Sequence, residues 1–381
     1  MSDARHSTGL LSRREAIGRA AGGLGVLASF LGHEAIGAVE GEPVEQSGAA
    51  SSMGLPTIPS WRTELRALAP NVYAYVQAGG PDGYREFIKE SRLQYDNLSV
   101  SNAGLIVGPN SALVFDALGA PLHAKTFIAA AKEVTGGKPF DRVVHSHHHG
   151  DHTNGTQFFM PAEVVSHDFC RKTVAAAAAN IKPGTKFAKR EAWADGTEDR
   201  ILVPASTTFS DRQTYYYGDT VVELFFVGPA HTYGDVVAYL PQHRILFGGD
   251  VVFHYVTPAV QSGHPSRWIQ AMDRLLAMNI DVVVPGHGPL GTKKEMAETR
   301  EYFAIQGPEA RKRFDAGMSP GRAAADIDMG KFEGWTNPDR AAWNLCRWYE
   351  EFKGTITPEN DQRVQREAVE EYLALRAARR G

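Results

Sequence analysis

The feature that most constrains this 381-residue chain is a histidine-rich run that directly follows a short β-branched segment. Residues 145–152 read HSHHHGDH, and residues 142–144 before them read RVV. Side chains two positions apart lie on the same side of an extended segment, so His147 and His149 can point to one cation. Asp151 and His152 follow across a turn and can point to a second position.

The donor types in this run are those that a borderline Lewis acid such as zinc prefers. Neutral imidazole nitrogens and carboxylate oxygens are its usual ligands. The alternative is a surface cluster or a tag-like run of histidines. A tag would lie at a chain end, whereas this run lies between a predicted buried strand and a helix predicted to begin at Thr153. The pattern therefore predicts a metal site.

The periodicity of apolar residues and the Gly and Pro breaks predict an α/β or α+β layered domain followed by charged helices. The predicted strands are Asn71–Gln77, Gly104–Val107, Ala112–Asp116, Asp141–His145, Thr220–Val227, Val236–Leu240, Arg244–Phe247 and Val282–Val284. The predicted helices are Leu122–Val134, Trp268–Met278, Lys293–Phe314, Pro320–Asp326, Pro338–Lys353 and Pro358–Arg379. Ser319 is the predicted N-cap of the fourth of these helices.

Three later segments carry a His, an Asp or both, each just after a predicted strand. They are AHTYGD at residues 230–235, FGGD at residues 247–250 and VPGHG at residues 284–288. Any one of them alone would be weak evidence for a site. With the histidine run, and in this order, they resemble the signature of the metallo-β-lactamase superfamily over roughly residues 65–290.

The resemblance implies an αββα sandwich that binds two metal ions. It implies that His147, His149 and His231 hold the first metal, that Asp151, His152 and His287 hold the second, and that Asp250 bridges them. Two Zn²⁺ ions per chain are expected, and Fe or Mn would suit the same ligands. Asp151 is the candidate catalytic residue, since it would orient a metal-bridging hydroxide and pass a proton to the leaving group.

The bridging residue narrows the family. Zinc β-lactamases with a cysteine at this point are excluded because the residue is Asp250, which resembles glyoxalase-II-like thioesterases, lactonases and general hydrolases. The implied reaction is hydrolysis of a small-molecule ester, thioester, lactone or lactam. RNA-processing relatives fit poorly, because 40 basic against 44 acidic residues leave no basic surplus for nucleic acid.

Two other interpretations remain open at this stage. One is an iron-dependent sulfur (persulfide) dioxygenase of the same fold, because the same ligands accept iron. The other is a non-catalytic periplasmic binder of metal or ligand. Degenerate members of the family usually lack ligands, and none is missing here.

Other polar residues near the motifs are candidates for supporting or substrate-binding roles. They are His145, His254 and Tyr255. The two cysteines, Cys170 and Cys346, exclude a disulfide framework and a four-cysteine zinc site.

The first residues have the order of an export signal. Arg13 and Arg14 precede a weakly apolar run and small residues around Ala38, which resembles a twin-arginine signal. The run is shorter than the ~20 residues that a membrane span needs. The predicted organisation is a signal peptide at 1–38, a linker at 39–64, a catalytic domain at 65–291 and a helical extension at 292–381. The mature protein is expected in the periplasm or secreted.

The C-terminal extension is predicted to serve either as internal packing or as an interface. Trp335, Trp343 and Trp348 concentrate there, and aromatic residues suit both roles, including a homo-oligomer interface. Residues 172–215 are the predicted specificity loop or lid, on position alone.

Overall fold

Two β-sheets face each other, and each carries helices on its outer face. The computed structural model describes residues 63–77, 101–187, 197–359 and 362–379. The predicted signal peptide and nearly all of the predicted linker lie outside these residues, and the first strand already begins at Thr63. This arrangement confirms the predicted αββα class with helices after it.

The first sheet has seven strands in the order β1-β2-β3-β4-β5-β6-β7. Its strands are β1 (Thr63–Ala69), β2 (Val72–Gln77), β3 (Ala103–Val107), β4 (Ala112–Phe115), β5 (Phe140–Val144), β6 (Glu163–His167) and β7 (Thr207–Phe209). The strands from β1 to β4 pair antiparallel, and those from β4 to β7 pair parallel.

The second sheet has five strands in the order β12-β11-β10-β9-β8. Its strands are β8 (Arg212–Tyr217), β9 (Thr220–Phe226), β10 (Val236–Leu240), β11 (Ile245–Phe253) and β12 (Val282–His287). Strands β10 and β11 pair antiparallel as a hairpin, and β12 joins β11 in parallel.

Eight α-helices are described. They are α1 (Pro121–Thr135), α2 (Gly150–Thr153), α3 (Asp168–Asn180), α4 (Pro265–Leu276), α5 (Lys293–Asp315), α6 (Pro320–Asp326), α7 (Arg340–Phe352) and α8 (Gln362–Ala378). Short 3-10 helices cover Asn154–Phe159 and Gly330–Gly334. No helix among the described residues is both long and apolar enough to cross a membrane.

The apolar faces of the two sheets meet in a buried middle layer. Phe115 of β4 and Phe247 of β11 lie across from each other with ring centroids 6.0 Å apart. Val144 of β5 and Leu224 of β9 belong to the same buried cluster. Burial of this layer fixes the register of both sheets, because a one-residue shift would turn each strand's apolar set outward.

Helix α1 covers the outer face of the first sheet. It begins at Pro121, where a missing N–H costs nothing, and ends before Gly136, which has a φ of 63°. Phe127 on its buried side stacks on Tyr75 of β2 at 4.9 Å and meets Phe159 at 5.9 Å. This packing places the loop that follows β5 over the edge of the sheet.

The helices of the C-terminal extension share one core with the second sheet. Trp268 of α4 is fully buried and donates from Nε1 to the carbonyl of Val251 at 2.9 Å. Trp335 and Trp348 are 6% and 5% exposed and belong to this same core. Trp335 and Trp348 therefore serve in internal packing, which is one of the two roles predicted for the C-terminal tryptophans.

One local prediction was wrong, and another was confirmed in position only. Residues 172–215 are not a single loop, because they contain most of α3, all of β7 and part of β8. Ser319 does stand at the N-cap of α6, but its hydroxyl donates to the carboxylate of Glu371 on α8 instead of capping the helix. In both places contacts distant in sequence decide the local structure.

Candidate metal centre

Seven His and Asp side chains from five separate segments meet at one edge of the sandwich. The loop after β5 and helix α2 supply four of them, and the loop after β9, strand β11 and the end of β12 supply one each. Their potential ligand atoms form two groups, each within 4.8 Å: His147, His149, His231 and Asp250; and Asp151, His152 and His287. These are the seven ligands that the sequence predicts.

The first group brings ring nitrogens together around one oxygen of Asp250. His231 Nε2 lies 2.8 Å from His149 Nδ1. Asp250 Oδ2 lies 3.2 Å from His231 Nε2 and 3.8 Å from His147 Nε2. The group therefore offers three nitrogens and one oxygen around a common point.

The second group lies on the other side of Asp250. His287 Nε2 lies 3.1 Å from Asp151 Oδ2 and 3.4 Å from His152 Nε2. Asp250 Oδ1 lies 3.0 Å from His152 Nε2 and 3.4 Å from His287 Nε2. The two oxygens of Asp250 thus face different groups, so this carboxylate is placed to bridge two cations.

The protonation state of the histidines in the first group suits a bound cation. Burial lowers the pKa values of His147 and His149 well below their ordinary values, and the neighbouring histidines His152 and His231 add to the effect. Both rings are therefore neutral near pH 7, which is the form that binds metal. Among the described residues His147 Nε2 has no hydrogen-bond partner, although it is buried.

The second group is rich in negative charge. Burial acts to lower the pKa of His152, but Asp250, Asp151 and Asp116 outweigh it and raise that pKa well above its ordinary value. Three carboxylates around one buried imidazole attract positive charge strongly. A divalent cation held by the same side chains would supply it.

Asp116 supports ligands of both groups, and the sequence analysis did not single it out. Its Oδ2 lies 2.9 Å from His152 Nδ1 and accepts from the Ser146 hydroxyl at 2.8 Å. Ser146 Oγ in turn lies 2.9 Å from His147 Nδ1. A charged residue directly after the buried strand Ala112–Phe115 was the signal that could have revealed it.

The loop that carries His231 is held by two further contacts. His231 Nδ1 lies 2.6 Å from the carbonyl oxygen of Ala259. Asp235 accepts from the backbone N–H groups of Ala230 and Thr232 and from the Thr232 hydroxyl. Burial raises the pKa of Asp235 to about 6, although these donors and His231 partly offset it.

Glycine is required where β12 passes Asp250. A Cβ on Gly286 would lie 2.0 Å from Asp250 Oδ1. Any side chain there would therefore displace the carboxylate that links the two groups. The PGHG segment therefore contains glycine at position 286 for a steric reason, in addition to the predicted ligand His287.

The remaining predicted residues lie around the two groups. His145 Nε2 is 2.8 Å from the Thr156 hydroxyl, and His254 Nδ1 is 2.8 Å from the carbonyl of Pro289. Tyr255 is buried, with its ring 6.5 Å from that of Trp335. The helix predicted to begin at Thr153 instead begins at Gly150 and ends at Thr153.

Asp151 differs from the other predicted ligands in its exposure. Its side chain is 44% exposed, whereas that of Asp250 is 5% exposed. Asp151 therefore faces the open side of the centre. It can exchange protons with solvent or with a bound molecule.

Comparison with known proteins identifies the family. The model of the metallo-beta-lactamase superfamily matches residues 96–287, just over half of the chain. The chain belongs to this superfamily. The family and the αββα fold predicted from the sequence are confirmed, while hydrolysis and the ligand roles of individual residues stay predictions.

Several curated relatives are similar over part of the chain. The α-subunit of 2,4-dinitroanisole O-demethylase from Nocardioides sp. is 26% identical over 186 residues, covering 48% of this chain and 51% of that protein. The linear primary-alkylsulfatase from Pseudomonas sp. is 22% identical over 262 residues, covering 59% of this chain and 49% of that protein. A metallo-beta-lactamase type 2 from Bacillus sp. is 35% identical over 92 residues, covering 23% and 36%. The chain thus spans about half, or less, of each.

A solved structure shows how far the fold is shared. The stereoselective inverting sec-alkylsulfatase from Pseudomonas sp. superposes with a TM-score of 0.56 at 16% identity. The match covers 79% of this chain and 53% of that one. Residues 1–291 alone make up less than 79% of the chain. The matched region must therefore include part of the C-terminal helices.

Proposed function

We propose that this chain is a dinuclear zinc-dependent hydrolase acting on the carbonyl of a small-molecule ester, thioester, lactone or lactam. One observation carries the proposal: the two oxygens of Asp250 face two separate groups of buried ligand atoms. The first group would hold one zinc and the second group the other. Bound zinc would supply Lewis acidity and lower the pKa of water toward neutrality.

The chain's own residues would position the reactants and move the proton. Asp151 is the exposed carboxylate of the centre, and its Oδ2 is 3.1 Å from His287 Nε2. It would accept a proton from the attacking water and return it to the leaving group. The other six predicted ligands are buried, and their low-dielectric surroundings strengthen electrostatic interactions on the inner side of the centre.

A covalent mechanism through cysteine is disfavoured. Cys170 and Cys346 are both buried. Burial raises the pKa of the Cys346 thiol to about 12, and it raises that of Cys170 further. Neither thiol would be a thiolate near pH 7, so direct attack by water is the favoured course.

A sulfate ester is a second candidate substrate. The similarity to the primary-alkylsulfatase extends over 262 residues, against 92 for the Bacillus metallo-beta-lactamase. A sulfate ester would need the same positioning of water and leaving group. Its negative charge would also suit a site that holds two dications.

Metal content and hydrolysis, measured together on the full chain, test the proposal. The substrates are a thioester, a lactone, an aryl ester, a chromogenic cephalosporin, an alkyl sulfate and 2,4-dinitroanisole. We expect about two zinc ions per chain and turnover of a carbonyl substrate that chelator abolishes and zinc restores. Turnover of the alkyl sulfate alone would select the second candidate.

Two results would contradict hydrolysis. Tightly bound iron, with oxygen uptake on a persulfide and no cleavage of the panel, would establish the dioxygenase. Metal binding with neither activity would favour a binder. Manganese in place of zinc, with turnover retained, would change only the identity of the metal.

We also propose export through the twin-arginine pathway, with Arg13 and Arg14 as the recognised pair. The test follows the full chain in a bacterium that has this translocase. We expect a periplasmic product shortened to near Ala38, and retention of an unprocessed R13K/R14K chain inside the cell. Equal processing of both chains would overturn the proposal.

Association of copies through the C-terminal helices stays a prediction. Burial of Trp335 and Trp348 in the chain's own core removes these two from a candidate interface. Leu373 of α8 is 44% exposed and remains available to one. Light scattering of the wild type and of L373E would show whether copies associate through this helix.

A further inference from the structure

One loop of the second half of the chain lies between the metal centre and the C-terminal helices. It comprises residues 257–263 and is called the support loop below. Its Ala259 carbonyl is the 2.6 Å partner of His231 Nδ1. Its Ser262 hydroxyl lies 3.5 Å from His149 Nε2. The loop thus lies behind two ligands of the first group.

The support loop also fixes the backbone on which His231 stands. A Cβ on Gly263 would lie 2.0 Å from the carbonyl oxygen of Ala230 and 2.4 Å from that of His231. The next residue, His264, donates its N–H to the Ala230 carbonyl at 2.8 Å. Imidazole and backbone of this ligand are therefore both held by one short segment.

Helix α7 holds the support loop from the other side with polar side chains on one face. Asn344 donates to the carbonyl of Pro258 at 2.9 Å and accepts from the N–H of Val260 at 2.7 Å. These two bonds flank Ala259 directly. Since Asn344 is completely buried, neither bond can be replaced by water without a rearrangement.

Two further side chains of α7, each about one turn from Asn344 on the same face, also bond the support loop. Arg340 donates to the Thr257 carbonyl at 3.1 Å, four residues before Asn344. Arg347, three residues after it, is fully buried and donates to the Gly263 carbonyl from Nε at 3.1 Å and from Nη2 at 2.8 Å. Spacings of four and three place all three side chains on one side of a helix.

Helix α8 adds one further bond. Gln365 is 5% exposed and donates from Nε2 to the carbonyl of Gln261 at 2.9 Å. Four carbonyls of the support loop are thus bonded by side chains from the two helices. The loop is therefore held through its backbone as well as by Val260, which is buried in the core.

We propose that the C-terminal helices position the first metal site, with Asn344 as the positioning residue that sets His231 through the Ala259 carbonyl. A hydrogen bond to the outer nitrogen of a ligating histidine fixes its tautomer and ring orientation. Asn344 fixes the carbonyl that receives this bond. The inference rests on the metal centre of the proposed function but not on which bond the enzyme cleaves.

The test measures zinc affinity on the full chain, by competition with a chromophoric chelator, together with the melting temperature of the metal-free protein. In N344A we expect one of the two zinc constants to weaken by about 10- to 100-fold, as for other partners of ligating histidines. The control is F127L. Phe127 is a buried side chain of α1 that packs on Tyr75 and Phe159 and has no contact with the support loop among the contacts described. F127L should lower the melting temperature without changing either zinc constant.

A double-mutant cycle separates positioning from general destabilisation. If Asn344 acts through His231, N344A has no further effect on zinc affinity in an H231Q background. Equal weakening by N344A in both backgrounds, or unchanged affinity in N344A, would overturn the proposal. If N344A fails to fold, Q365A replaces it and should weaken the same constant by a smaller factor.

The outcomes also distinguish this proposal from the function proposed above. A wild-type chain that binds no zinc would overturn both. A chain that binds two zinc ions, shows the N344A effect and cleaves none of the panel would overturn only the hydrolase. Hydrolysis with unchanged zinc affinity in N344A would overturn only the positioning role.

Discussion

Asp116 and His152 are in direct contact beneath the metal centre, with Oδ2 and Nδ1 2.9 Å apart and both side chains buried. The same oxygen accepts from the hydroxyl of Ser146, which contacts His147. One carboxylate outside the ligand set therefore orients a ligand of each metal group. Its loss should affect both metal positions together.

The substitution Asp116→Asn tests this relationship. The amide keeps the shape but has one acceptor oxygen in place of two, so it cannot accept from the Ser146 N–H on one side and also serve His152 and the Ser146 hydroxyl on the other. We expect zinc affinity to fall by about 10- to 100-fold at both positions. The matched control is Asp273→Asn, because Asp273 is an exposed partner of Arg300. Wild-type affinity in D116N would show that the contact is only structural.

Replacement of the bridging residue should have the largest effect on metal content. In Asp250→Asn one of the two facing oxygens becomes an amide nitrogen, which is a poor ligand. We expect at most one zinc per chain and a loss of turnover of at least about 100-fold, as when other electrostatic stabilising groups are removed. Elemental analysis and the substrate panel measure both. Asp281→Asn, at an exposed ion pair with Arg244, should leave both unchanged.

The convergence of these seven His and Asp side chains could be predicted because each lies in a short motif on or near a strand end, although Asp250 lies within β11 and Asp151 and His152 lie in α2. Periodicity predicted the strands, and the resemblance of the motifs to those of the family grouped the side chains. Gly286 agrees with the motif pattern, because glycine is needed where β12 passes Asp250. Local sequence was sufficient wherever a residue's role depends on its own segment.

The residues that support the ligands could not be predicted in this way. Asn344 touches a loop 84 residues earlier in the chain, and Asp116 contacts a histidine 36 residues later. No motif or periodicity near either residue in the sequence indicates such a contact. Strands β1, β6, β7 and β8 and helix α3 were also missed, although the alanine run at residues 175–179 of α3 is itself a helix signal.

The helical extension should not be separable from the catalytic domain. Leu345 of α7 is fully buried in the core that also contains Val251 and Trp268. Truncation of such a residue creates a cavity, so L345A should lower the free energy of unfolding by about 2–5 kcal/mol. Chemical denaturation of the metal-free protein measures it.

The control for this prediction comes from the neighbouring helix. Leu373 of α8 is 44% exposed, so L373A removes the same atoms with little loss of buried surface. Its effect should stay within about 0.5 kcal/mol. Equal, small effects of the two substitutions would mean that the extension folds independently of the second sheet.

Asp235 should make the stability of the metal-free protein depend on pH. Burial raises its pKa from the ordinary 3.8 to about 6, so the folded protein binds this proton more tightly than the unfolded chain does. The contribution to stability is complete below 3.8 and is lost as the pH rises through about 6. The change amounts to roughly 3 kcal/mol, at about 1.4 kcal/mol per pKa unit.

The substitution Asp235→Asn isolates this contribution, because asparagine does not titrate. The free energy of unfolding is measured for both chains with chelator present, across the interval between the two pKa values. We expect the advantage of the wild type over D235N to shrink as the pH rises through this interval, since all other titrating groups are common to both chains. Parallel curves would mean that the hydrogen bonds from Thr232 and Ala230 fully offset burial, and that the carboxyl has the same pKa in the folded and the unfolded chain.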